Sequence, residues 1–407
     1  MTVSNATAAD LGIMAGFPPV LDKRATLANW DLPPFNRWSF QNVRSILPTR
    51  AIPRGRGPVE PLPQSPQALE AVTFTDLDGS RRSVADMLAS TYTDGFLLLH
   101  RGRIVLERYM NGMSEVTLHL SQSVVKSFVG TLVGIMTGRG LLALDRPVSH
   151  YVPELAATGY AGATLGQVLD MRSGVRFVED YLDPASEVGM LDRAAGWKPP
   201  LPGEVLGGIY DFILTLRQER PHGGAFAYRS IETDVLGWVL ERATGKGLAD
   251  LLSQEIWQPL GCEFDASIAI DRAGTCQADG GLNASLRDYA RLGLLYLQEG
   301  AWNGRQILPA AWVAACRTGD REAFLPFYGE RFAAFPDSAY SRQWWVLDRK
   351  RGRHAAFGIY GQMIVIDPTR EMVAVKLSSW PDPLNDAMRL STLRAIDAMA
   401  ESLSQGG

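Results

Sequence analysis

Apolar positions along this chain fall into two periods, one helical and one strand-like. Between residues 127 and 136, Phe128, Val129, Leu132, Val133 and Met136 recur at spacings that place them on one face of a helix, and Gly138-Arg139-Gly140 closes it. The same period predicts a helix over 232–243, ended by Thr244-Gly245, and another over 285–299, opened by the cap Ser285-Leu286-Arg287-Asp288. Short β-rich runs at 95–100 and 104–109, joined by Arg101-Gly102-Arg103, predict a strand hairpin. A late pair of runs, 362–368 and 372–377, predicts two more strands.

Strands at both ends with helices between them predict an α/β unit over residues 1–113 and 281–407, its sheet assembled from distant pieces. A mainly helical unit, residues 114–280, is inserted between the halves, and a cleft between the two units follows. Residues 14–67 are rich in proline, including Phe17-Pro18-Pro19, Leu32-Pro33-Pro34 and Pro61-Leu62-Pro63, so long helices are excluded there. The aromatic residues of that arm, Trp30, Phe35, Trp38 and Phe40, predict that it docks on the core.

Composition narrows the function classes. With 407 residues, 46% hydrophobic and 21% charged, the chain can form a large globular core. A net charge of -4 gives no support for a nucleic-acid or anionic-membrane partner. No run approaches the ~20 apolar residues of a membrane span, and the first ten residues lack the basic and apolar regions of an export signal, so a cytoplasmic location is expected. Cys262, Cys276 and Cys316 lack metal-ligand spacing and read as reduced structural thiols. Neither a metal nor a cofactor is expected.

The chemistry begins at Ser123-Val124-Val125-Lys126, at the head of the first predicted helix. Three residues apart in helical geometry, the hydroxyl and the amine share a face. A serine nucleophile needs a neighbouring base, and lysine serves only where burial or a helix N-terminus disfavours its ammonium form. The chain has six lysines among 40 basic residues, which makes each one informative, yet S-x-x-K alone is a weak motif. No serine stands in G-x-S-x-G, and none of His100, His119, His150, His222 and His354 stands in a catalytic motif; all five read as surface or packing residues. About a hundred residues after Lys126, Tyr228-Arg229-Ser230 precedes a helix for which Ser230 is the expected N-cap. A phenol there can pass a proton from nucleophile to leaving group.

These two motifs, in this order, resemble those of serine hydrolases with the β-lactamase fold, the penicillin-recognising enzymes. The third motif of that family, K-T-G, is absent; Ala356-Phe357-Gly358 stands before the 362–366 strand. That favours an esterase or amidase over a β-lactamase or DD-peptidase, and a catalytically silent binding protein of the same fold is the alternative from another class. Within the family the chain is similar to the 6-aminohexanoate-dimer hydrolases, through Pro33-Pro34-Phe35-Asn36-Arg37-Trp38, Asp180-Tyr181-Leu182-Asp183-Pro184, Asp192-Arg193-Ala194-Ala195-Gly196-Trp197, Arg342-Gln343-Trp344-Trp345 and Ser379-Trp380-Pro381-Asp382.

The resemblance implies an antiparallel sheet with flanking helices. It implies Ser123 as acyl-forming nucleophile, Lys126 as base, Tyr228 as proton relay, and an oxyanion hole from the backbone N–H groups of Ser123 and Phe357. Tyr181 would hydrogen-bond the scissile amide, and Asp192 would pair with a substrate ammonium; the competing reading of Asp192 is a solvated loop carboxylate paired with Arg193 or another arginine. Asp279 stands where the family has asparagine, and an ionised aspartate only accepts hydrogen bonds. Trp197, Trp344, Trp345 and Asp382 complete the expected substrate-binding set. The expected substrate is a small ester or linear amide; the sequence leaves a homodimer open.

Overall fold

A computed structural model describes residues 5–328 and 332–405. In chain order the strands that build its two larger sheets are β1 (Thr49–Ile52), β2 (Thr93–His100), β3 (Arg103–Tyr109), β4 (His119–Leu120), β5 (Ala266–Ala269), β6 (Leu282–Ala284), β7 (Ala339–Ser341), β8 (Trp344–Asp348), β9 (Arg353–Gly358), β10 (Gln362–Asp367) and β11 (Met372–Ser378). Seven of them form an antiparallel sheet in the order β7-β8-β9-β10-β11-β2-β3. The early hairpin is therefore stitched to the late strands through β11 and β2, with Val375 opposite Leu97. The hairpin turn is tight because Arg101 and Gly102 both take positive φ, 49° and 71°, the twist that joins two strands by two residues. A second sheet, β1-β5-β6-β4, joins the proline-rich arm to the middle of the chain.

Helix α1 (Val125–Gly138) runs through the core and is buried on nearly every side rather than on the single stripe its apolar period predicts. Off that stripe the buried positions include Lys126 and the small residues Ser127, Gly130, Thr131 and Gly134. A Cβ on Gly130 would come within 2.7 Å of the Arg342 carbonyl oxygen, so glycine lets a neighbouring loop lie directly on the helix. Helix α2 (Ile231–Thr244) ends at Gly245 in the left-handed conformation, and α3 (Leu286–Leu297) is opened by Ser285, whose hydroxyl accepts from the Asp288 N–H; both ends follow the sequence signals. Ser230 departs from its expected role. It precedes α2, but its hydroxyl makes no cap bond to the helix.

The arm docks as its aromatics predict. Trp30 and Phe40 are fully buried, and the Trp30 indole N–H donates to the Trp197 carbonyl at 2.9 Å with the two rings edge to face. This contact carries Asp31, Leu32 and Pro33 to the mouth of the cleft described below. The regular structure of the 114–280 stretch is mainly helical, and the stretch also supplies β4 and β5 to the smaller sheet. Among the described residues no helix is long and apolar enough to cross a membrane, and the three cysteines are free and buried.

Candidate active site

Ser123 sits in a single 3-10 turn, Gln122–Val124, that leads into α1, so it precedes the regular helix rather than occupying its first turn. The residue before it, Gln122, is buried and held at φ 46°, a conformation that costs a non-glycine residue of order 1 kcal/mol or more. Strain of this kind persists only where surrounding packing imposes it. Here the end of β9 presses on the turn: a Cβ on Gly358 would lie 2.7 Å from the Ser121 carbonyl oxygen. The same approach brings the Phe357 backbone alongside the serine turn.

One turn further on, Lys126 is withdrawn to 2% exposure while Ser123 remains half-buried at the cleft surface. The Lys126 Nζ donates to Ser123 Oγ at 3.0 Å and to the Asp279 carbonyl oxygen at 2.6 Å. Burial lowers the lysine from its ordinary value, against the raising influence of Asp279, Glu179 and Asp234. Tyr228 lies over the pair, its ring centroid 5.4 Å from Nζ and its phenol facing Ser123. Burial, and then the Glu179 charge, push the phenol well above its usual range, so it rests protonated.

Two chambers meet at Ser123, and both are also bordered by Tyr181, Ile359 and Pro383. One, of about 120 Å³, is aromatic: Trp345 stacks on Tyr228 at 5.2 Å and on Phe332 at 5.1 Å, and Phe357 closes the side. The other, of about 290 Å³, is acidic: Asp31, Asp192, Asp279 and Asp382 border it, with Lys198 and Trp197. Lys198 is paired with Asp31.

Most of the residues singled out in the sequence thus converge on one cleft. Trp344 does not. It is fully buried on the opposite face of the sheet, packed on Tyr296 and His354 at 4.6 and 5.1 Å, because adjacent residues of a strand point to opposite sides. Only Trp345 of that pair reaches the cleft. Asp192 is not neutralised by its neighbour: Arg193 pairs with Glu204 at 2.9 Å. Burial, then the nearby carboxylates of Asp31 and Asp279, push Asp192 well above the usual carboxylate range. Such a group gains most from an incoming cation. His119 and His354 are buried away from the cleft; the former meets Asp94 at 3.0 Å.

Three residues of the site carried no recognised sequence signal. Glu179 accepts from the Tyr181 hydroxyl at 2.6 Å, from the Ser230 N–H at 2.9 Å and from the Ser230 hydroxyl, which is why Ser230 does not cap α2. Asp234 sits on the buried face of α2, and Asp31 arrives with the arm. Asp234 shares the first turn of α2 with Glu232, where acidic residues are ordinary, so its sequence offers no mark of a site residue.

Residues 81–398 match the family model described as Beta-lactamase. The chain is 38% identical over 397 residues to the 6-aminohexanoate-dimer hydrolase of Paenarthrobacter ureafaciens, covering 95% of this chain and 97% of that protein. It is 31% identical over 194 residues to esterase EstB of Burkholderia gladioli, 44% of this chain and 46% of that one. A solved structure from Bacillus anthracis, provisionally assigned as a 6-aminohexanoate-dimer hydrolase, superposes with a TM-score of 0.87 at 29% identity, over 96% of this chain and 99% of that chain.

Proposed function

Because the chain belongs to the beta-lactamase family, and within it to the group of the 6-aminohexanoate-dimer hydrolases, we propose that it cleaves small carboxylic esters and linear amides such as the 6-aminohexanoate dimer through an acyl-enzyme on Ser123. The observation that carries this reading is the 3.0 Å contact between the Ser123 hydroxyl and the buried Lys126 amine, at the junction of two chambers. In its neutral form Lys126 accepts the Ser123 proton as Oγ attacks the substrate carbonyl. The oxyanion that forms is assigned to the backbone N–H groups of Ser123 and Phe357. Tyr228, resting protonated, hands a proton to the departing alkoxide or amine and is re-protonated through Lys126. Water then repeats the attack on the acyl-enzyme, releasing the acid and restoring Ser123.

Substrate selection divides between the chambers. A carboxylate at Asp192, raised by burial, suits the ammonium of an amino-terminated acyl chain, and the Trp197 wall suits its methylene groups. The Tyr181 hydroxyl, at the meeting point of the chambers, is positioned to serve the amide nitrogen once it leaves Glu179. Esters need less help than amides, because an alkoxide can depart unaided whereas an amide nitrogen must be protonated before it leaves.

The test is the release of 6-aminohexanoate from its linear dimer, with p-nitrophenyl acetate in parallel and Ser123→Ala as control for both. Loss of both activities in the variant supports the serine mechanism. Ester turnover without dimer turnover would withdraw the amide claim, and an unaffected Ser123→Ala enzyme would overturn the site.

A further inference from the structure

Behind Lys126 lies a pair of buried acids that the reaction just described does not use. The Asp279 carboxylate stands 4.0 Å from Lys126 Nζ and is almost fully buried. Among the described residues its Oδ1 has no hydrogen-bond partner, and neither has Oδ2 of Asp234, which is fully buried beside it. The other Asp234 oxygen accepts the Ala278 N–H at 2.9 Å, and the carboxylate also engages the Asp279 N–H. Asp234 therefore braces the very backbone whose carbonyl receives the Lys126 amine.

We propose that Asp279, braced by Asp234, is a positioning residue that sets the protonation state of Lys126 and so the pH at which the enzyme becomes active. This rests on the reading of Ser123 and Lys126 as nucleophile and base. The groups facing the amine can be named element by element: Ser123 from the turn before α1, Asp279 from the loop before β6, Asp234 from α2, Tyr228 from the segment before α2, and Glu179 from the loop that carries Tyr181. Two adjacent buried carboxyls resist ionising together. Burial raises Asp234 further than Asp279, and Lys126 acts in the opposite sense on both. The 4.0 Å approach of Asp279 to the amine favours the ammonium form wherever that carboxylate is ionised. Removing that one negative charge makes the ammonium less favourable and the free amine available at lower pH.

The experiment is the pH dependence of kcat/KM for p-nitrophenyl acetate in the parent, Asp279→Asn, Asp234→Asn and Ser123→Ala, with Tm measured for each. The expected result is that Asp279→Asn moves the rising limb to lower pH by about one unit or more, with higher activity at pH 7, while Asp234→Asn, whose carboxylate bears on the amine less than Asp279 does, moves the midpoint less. If Asp279→Asn does not fold, Asp279→Ala removes the same charge and keeps the backbone acceptor. A folded Asp279 variant whose limb does not move, in a protein that Ser123→Ala inactivates, overturns this inference alone. Activity that survives Ser123→Ala overturns the site reading with it.

Discussion

The Lys126 amine reaches Ser123 Oγ at 3.0 Å from a side chain nearly withdrawn from water, while the serine itself borders the open cleft. The separation matters because burial disfavours the ammonium form of a base beneath its nucleophile without shielding it from the reaction. Ser123→Ala and Lys126→Met are expected to lower kcat/KM by at least about a thousandfold, and of the three proteins the parent alone should be labelled efficiently by a phosphonate probe, because labelling needs both the serine and its base. The parent should show a rate that rises with pH, since the active amine is the deprotonated form, with a midpoint below the 10.5 of an ordinary lysine. A flat profile between pH 6 and 10 would count against lysine as the base.

Tyr228 has two jobs that can be separated. Its ring stacks on Trp345 and its phenol serves Ser123. Tyr228→Phe keeps the stack and removes the proton, so kcat is expected to fall by about 10²- to 10⁴-fold with Tm almost unchanged. Steady-state kinetics and a thermal melt on the same sample check both halves.

Asp192→Asn addresses the acidic chamber. Dimer hydrolysis should weaken ten- to a hundredfold in kcat/KM, roughly the 1–3 kcal/mol of a partly desolvated charge pair. Turnover of p-nitrophenyl acetate, which has no ammonium, should stay within about twofold of the parent. Equal losses on both substrates would show that Asp192 supports the site's shape rather than the substrate's charge.

Stability carries its own pH signature through Glu232, which is fully buried against Arg229 and Ser173 and raised by that burial from 4.5 to about 7. The folded state binds the proton more tightly than the unfolded one. The stability this confers is present below pH 4.5 and is lost as pH rises toward 7, a difference of about 3 kcal/mol between the two ends. Glu232→Gln should remove that slope, so the gap between parent and variant in urea midpoint should change with pH inside this window and be constant above it.

Much of this protein can be read from local sequence, because local physics decides it. Helix α2 ends at Gly245 because glycine alone adopts that conformation freely, and the Arg101-Gly102 turn predicts its hairpin for a related reason. Ser123 and Lys126 could be paired from spacing alone, since three residues of helical backbone bring two side chains together whatever surrounds them. The family pattern then carried Tyr228, Tyr181 and Asp192 to the same cleft.

What only the tertiary structure decided are the relationships across distant segments. Period-two alternation shows that Trp344 and Trp345 face opposite ways, but which of them meets the cleft depends on what packs on each face of the sheet. The Ser230 hydroxyl could cap its helix by local sequence, but Glu179, 51 residues away in the chain, claims it. Asp279 and Asp234 lie forty-five residues apart in the chain, and their bearing on Lys126 comes from burial and from the 4.0 Å approach of a charge. Burial is a property of the assembled fold, so the protonation states on which the chemistry turns are not written in any local stretch of sequence.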